Sequence, residues 1–235
     1  VVGGTTASRD APPGWYNTGG TWDYRRKITI DKSKVSGTSN LSNFPMLVSM
    51  TKSDFMHTSF GGKVASSSAG PTGGGGDFVF TSSDGLTKLP HEIEKYSSSS
   101  GELIAWVNVT TLSVTVDTPV YVYYGGPSSG ATNQNKTGTW DSDYKGIYHF
   151  PGTVTPDTKD STSNGNNGTN NGSTATSGKV GGALAFNGSS QDVSLPNNFT
   201  ALSAGTVEAW IYPNNTNREA IFSASDTAVF NTAGL

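Results

Sequence analysis

Between residues 22 and 31 the side chains alternate with a period of two, and this alternation limits the possible folds more than any other feature of the chain. Trp22, Tyr24, Ile28 and Ile30 share one face, with Arg26 as the exception. Asp23, Arg25, Lys27, Thr29 and Asp31 share the other, which should face water. Similar short runs follow at 44–51, 77–82, 89–96, 102–109 and 119–124. Turn-forming residues separate them: Ser36-Gly37, the glycine run 73–76, Asp84-Gly85, Ser100-Gly101 and Gly125-Gly126. No helical period of useful length competes, so the spacing predicts an all-β chain built on antiparallel sandwiches.

Composition agrees. Charged residues are 14% of the 235, hydrophobic residues 33%, and glycine numbers 30, a profile that disfavours a helical bundle. A net charge of -3 gives no electrostatic footprint for nucleic acid. No apolar run approaches the roughly 20 residues a membrane-spanning helix needs. Cysteine is absent, which excludes disulfides, thiolate metal sites and cysteine nucleophiles. Little Lys and Glu, with abundant Thr, Asn and aromatic residues, favour an extracellular, cell-surface or virion setting. The chain opens Val1-Val2 without an initiator Met, which suggests processing or a piece of a longer product. Val1-Val2-Gly3-Gly4 together with His57 imitates a trypsin-like protease, but the serine loop of those enzymes is missing.

Composition shifts divide the chain. Residues 1–20 are rich in Gly, Pro and Thr and form an arm or linker; 21–128 form the first sandwich; 129–139 form a second linker. Residues 140–235 hold further strand candidates at 144–150, 179–187, 192–195, 206–212, 220–224 and 227–230.

Six blocks in order carry a family resemblance. They are Trp22 to Ile30, Leu41-Ser42-Asn43-Phe44-Pro45-Met46-Leu47-Val48, Asp77-Phe78-Val79-Phe80-Thr81, Leu89-Pro90-His91-Glu92-Ile93-Glu94-Lys95-Tyr96, Glu102-Leu103-Ile104-Ala105-Trp106-Val107 and Val120-Tyr121-Val122-Tyr123-Tyr124-Gly125. Residues 20–128 thereby resemble DUF2341, a domain of unknown function. The resemblance implies a jelly-roll-like sandwich and a secreted, cell-surface or phage protein. Residues 140–235 are similar to the laminin-G-like or concanavalin-A-like sandwiches that accompany it, through Tyr148-His149-Phe150, Gly178-Lys179-Val180-Gly181-Gly182-Ala183-Leu184-Ala185-Phe186 and Thr206-Val207-Glu208-Ala209-Trp210-Ile211. A full domain of that type is much longer, so the second sandwich is expected to be partial, completed by more chain or by another subunit.

Several residues could carry chemistry. Glu92 and Glu94 are two apart on a strand, with carboxylates roughly 6–8 Å apart, a separation used in glycoside hydrolysis. The competing reading is a solvated edge face with His91, Ile93 and Lys95 opposite. No third group orients either acid, so catalysis is not expected. His57, His91 and His149 are scattered without metal-ligand spacing, and His149 is read as a packed residue. The glycine run 73–76 leads into Asp77 and a strand, so it is read as a turn and not as a phosphate cradle. Asp157, Asp160, Thr162 and Asn164, followed by Asn166, make an oxygen-rich loop that suits Ca2+ or a solvated Asx turn; Asn171 stands where an EF-hand has its bidentate Glu. No other cofactor is expected. Trp22, Trp106 and Trp210 read as core plugs, while Trp15, Tyr16, Tyr121 and Tyr123 are candidates for stacking on sugar rings. The expected function is a non-catalytic structural or adhesion module that partners with its own copies or with other surface or virion subunits. The alternative is a carbohydrate-binding module attached to a separate enzyme.

Overall fold

The computed structural model describes residues 14–66, 75–127, 133–152, 155–196, 204–214 and 220–223. The expected arm at 1–13, Gly73, Gly74, positions 129–132 of the expected linker and the strand candidate 227–230 lie outside these residues. The chain is nearly all β and divides into two compact units, residues 1–144 with 161–163, and residues 145–160 with 164–235.

Among the described residues the first unit contains seven strands: β1 Tyr24–Ile30, β2 Leu41–Thr51, β3 Val79–Thr81, β4 Lys88–Leu89, β5 His91–Ser97, β6 Glu102–Leu112 and β7 Thr118–Tyr124. They form two antiparallel sheets, ordered β1-β7-β3-β4 and β2-β6-β5. The predicted strand at 89–96 is in fact two. Pro90, which has no N–H to give a ladder, separates β4 in the first sheet from β5 in the second. Alternation puts Ile28, Phe80, Leu89, Val120, Val122 and Tyr124 of the first sheet into one apolar cluster with Val48, Met50, Ile93, Tyr96, Leu103, Ala105, Val107 and Val109 of the second. That cluster is the core, and burying it supplies the main driving force.

The outer face of the first sheet is also covered. Trp15, Tyr16 and Trp22 pack on Val79 and Tyr123 of the first sheet in a second cluster. Residues 14–20, expected as arm or linker, are therefore a strap fixed to the sheet. Tyr123 donates its hydroxyl to Gly85 O at 2.9 Å and Gly14 O at 3.2 Å. The strap runs so close that a Cβ on Gly85, whose φ is +71°, would stand 1.9 Å from Gly14 O. Residues 133–139, expected as linker, run along β5 at the edge of the second sheet. Asn135 N donates to His91 O, Gln134 Oε1 accepts from Ile93 N, and Asn108 Nδ2 donates to Thr139 O. The Asn135 backbone N–H and the Gln134 side chain satisfy the free edge of β5, which has one strand neighbour in its sheet. The short helix α1, Lys136–Thr139, follows, capped by the Asn135 side chain.

In the second unit β8 Thr169–Asn171 pairs with β11 Asp192–Ser194, and β9 Thr174–Ser177 pairs with β10 Gly182–Ala185. The strand candidates 144–150 and 206–212 are not strands, nor is the described part of 220–224. Among the described residues the buried ones of this unit are the polar Thr158, Asn166 and Ser173, whereas Val207, Trp210, Ile211 and Tyr212 are exposed. Trp210, expected as a core plug, is 78% exposed.

Candidate functional site

The densest gathering of polar chemistry lies on the outer face of the second sheet. β5 and β6 pair Glu92 with Trp106 and Ile93 with Ala105, then shift register so that Lys95 meets Ile104. Glu94 is the extra, bulged residue. The bulge returns Tyr96 to the core beside Ile93 and turns Lys95 outward, where it pairs with Glu102 at 2.9 Å. Strict alternation had placed Lys95 opposite Glu92 and Glu94, and the bulge is the reason it is not.

Neither glutamate is solvated: Glu92 is 3% and Glu94 7% exposed. Glu92 Oε2 accepts the Trp140 indole N–H at 3.0 Å, and its Oε1 accepts the Ser161 hydroxyl at 2.7 Å, with Lys136 Nζ at 3.6 Å. Glu94 Oε2 accepts the Trp106 indole N–H at 2.6 Å. The Trp106 and Trp140 rings lie 5.2 Å apart, and Tyr144 meets Trp140 edge-on at 5.2 Å. Each carboxylate is thus a buried acceptor held by an indole. The sequence expected a solvated face here; Trp140, 48 residues away from Glu92, supplies the cover. Its lone aromatic signal inside a linker-like stretch was the available clue.

On the outer face of the first sheet, Trp15, Tyr16 and Tyr123 are 4%, 5% and 0% exposed, so their faces are used on one another and on Trp22. Tyr121 is half-buried at the margin of this cluster. Arg25 stacks here, its guanidinium carbon 4.6 Å from the Trp15 ring centroid and 4.8 Å from that of Tyr121. Sequence reasoning had assigned Arg25 to the wet face without noting this contact.

A third constellation sits at the core. Arg26, the exception on the apolar face of β1, places Nη2 2.6 Å from Asp54 Oδ2, and the Tyr124 hydroxyl donates to the same oxygen. Burial alone would raise the Asp54 carboxyl, yet the bonds from Tyr124 and Arg26 hold it below the usual carboxylate range. Asp77 is fully buried, its Oδ2 accepting the Ala65 and Gly125 amides, and burial pushes its carboxyl up. His91 is fully buried with its ring 5.1 Å from Phe80, and burial depresses it to about 4. His57 caps the turn at 58–60, its Nδ1 accepting from Ser59 N. His149 is half-buried in the second unit.

Of the Ca2+ candidates, Thr162 is buried and belongs to the first unit, and Asp157, Asp160 and Asn164 belong to the second. Asp160 accepts the amides of Ile147 and Asn166, and Asp157 that of Lys159. The Asp157 contact is an Asx turn, whereas Asp160 ties together two separate loop segments. Among the described residues no three His, Cys, Asp or Glu side chains are grouped to hold a metal.

β3 through β7, the Glu92 cluster and residues 161–163 occupy one continuous stretch of chain, and that stretch has known counterparts. Residues 74–164 match the family model described as Domain of unknown function (DUF2341). The DUF2341 match contains Glu92, Glu94, Trp106, Trp140 and Ser161, but not Arg25, Arg26, Asp54 or the strap. No curated protein and no solved structure matches the chain.

Proposed function

We propose that this chain is a non-catalytic structural module of an extracellular, cell-surface or virion assembly. The observation that carries the reading is the contrast between the two units. The first buries its aromatic and acidic side chains against one another, while the second exposes Val207 at 60%, Trp210 at 78%, Ile211 at 56% and Tyr212 at 92%. Side chains of this size left in water favour association with another surface, here other copies of the chain or other subunits of the assembly. Mass photometry and electron microscopy across a concentration series test it. Association that Trp210→Ser with Tyr212→Ser abolishes is the expected result, and a strictly monomeric chain would sink the reading. Turnover of a polysaccharide by this chain, lost in Glu94→Gln, would overturn its non-catalytic part.

A second reading, saccharide binding, is favoured by one observation. Arg25 and the half-buried Tyr121 lie together on the outer face of the first sheet, beside exposed Lys27.

A further inference from the structure

We propose that Arg25 and Lys27 bind the oxyanion, carboxylate or sulfate, of an acidic saccharide; the proposal deepens the saccharide reading and rests on it. The β1–β7 register sets Arg25 opposite Tyr123 and Lys27 opposite Tyr121, so these four side chains project from one face. The Arg25 guanidinium lies against Trp15 and Tyr121, and its Nη1 donates to Gly14 O and to the Tyr123 hydroxyl, both at 3.1 Å. Two rings and two acceptors hold the fork in one orientation.

Among the described residues no carboxylate meets this fork. Neither Arg25 nor Lys27 has an ion-pair partner among the described residues, and Arg25 Nε and Nη2 find no acceptor among them. Among the described residues of the same unit Arg26 pairs with Asp54, Lys95 with Glu102 and Lys136 with Glu92, while Lys32, Lys34, Lys52, Lys63 and Lys88 have no ion pair either; what sets Arg25 apart is a guanidinium held against two rings. An immobilised guanidinium loses little entropy on binding an oxyanion, and its free N–H groups match a carboxylate or sulfate edge. Lys27, exposed and roughly 7 Å further along β1, supplies a second positive charge. Tyr121, opposite Lys27 and under the Arg25 guanidinium, is half-buried, so part of its ring stays open to a sugar's C–H face. A flat strip of ring and cation fits an acidic sugar better than a peptide, whose side chains need apolar recesses.

Isothermal titration of the 235-residue chain at fixed low salt tests this with four probes: an oligogalacturonate, a heparin octasaccharide, neutral cellohexaose and poly-L-glutamate. Binding of an acidic saccharide is expected, with cellohexaose about tenfold weaker or more. Arg25→Lys keeps the charge but loses the planar fork, and should weaken that binding about tenfold. Lys27→Ala, at an exposed position where folding is safe, should weaken it a few-fold and Lys27→Glu should weaken it further. Which acidic probe binds tells carboxylate from sulfate. Cellohexaose binding as tightly as the acidic probes would overturn the oxyanion site while leaving the saccharide reading in place. No binding by any probe would remove both. Tighter binding of poly-L-glutamate would replace the saccharide by an acidic peptide. Unchanged affinity in Lys27→Glu overturns the proposal even if Arg25→Lys fails to fold.

Discussion

Arg26 Nη2 and Asp54 Oδ2 stand 2.6 Å apart at the margin of the sandwich core, and the Tyr124 hydroxyl donates to the same carboxylate oxygen at 2.6 Å. β1 thus carries a charge on its apolar face because the turn Ser53–Phe55 brings a carboxylate to meet it. The side chains are 11% and 21% exposed, so water screens the pair only partly. Removing one partner strands the other, and Asp54→Ala is expected to cost about 2–4 kcal/mol. The double substitution Arg26→Met with Asp54→Leu should cost distinctly less than Asp54→Ala. Urea unfolding of the three variants measures both, and a double mutant as unstable as Asp54→Ala would show that the pair itself is not the source.

His91 predicts a dependence on pH. Burial disfavours its charged form and lowers it to about 4 from an ordinary value near 6.5. The unfolded chain therefore binds the proton first, and stability present above pH 6.5 is lost as pH falls toward 4, by about 3 kcal/mol. Asp54, also held low, adds a loss that begins near the unfolded carboxyl value of about 4 and continues below it. In His91→Phe, which can keep contact with Phe80, the component between pH 6.5 and 4 should vanish. Denaturant midpoints of wild type and variant, measured across that range, check the difference.

The Glu92–Trp140 bond predicts that the acidic face is structural. Trp140→Phe keeps a ring against Trp106 but leaves Glu92 Oε2 without its indole donor, at an expected cost of about 1–3 kcal/mol. Glu92→Gln should cost less, since the amide oxygen can still accept. Thermal unfolding ranks the two; Trp140→Phe with a wild-type midpoint would mean that the carboxylate is held by other groups.

The legible part of the fold followed from periodicity. Ile28 and Ile30 on one face, Val120, Val122 and Tyr124 on one face, and the turns at Asp84-Gly85 and Ser100-Gly101 all read correctly because alternation and turn chemistry are local properties. Residues 133–139 misled, because Asn and Gln look alike whether they face water or satisfy the amides of a neighbouring strand. Residues 206–212 misled in the opposite sense: an alternating run is only a strand when a partner offers its ladder.

The candidate sites were legible as residue types and not as environments. Glu92 and Glu94 stood out as paired acids, but a bulge at Glu94 and two indoles determine what they do. Trp15, Tyr16 and Tyr123 stood out as aromatic, but the strap closes over them. By itself the sequence determined that this chain is built of short antiparallel strands, because side-chain alternation and glycine turns act over a few residues. Tertiary structure alone decided which polar groups are buried and that the Arg25 guanidinium is held between two rings. Those outcomes depend on residues tens of positions apart meeting across a sheet, and no local pattern encodes that meeting.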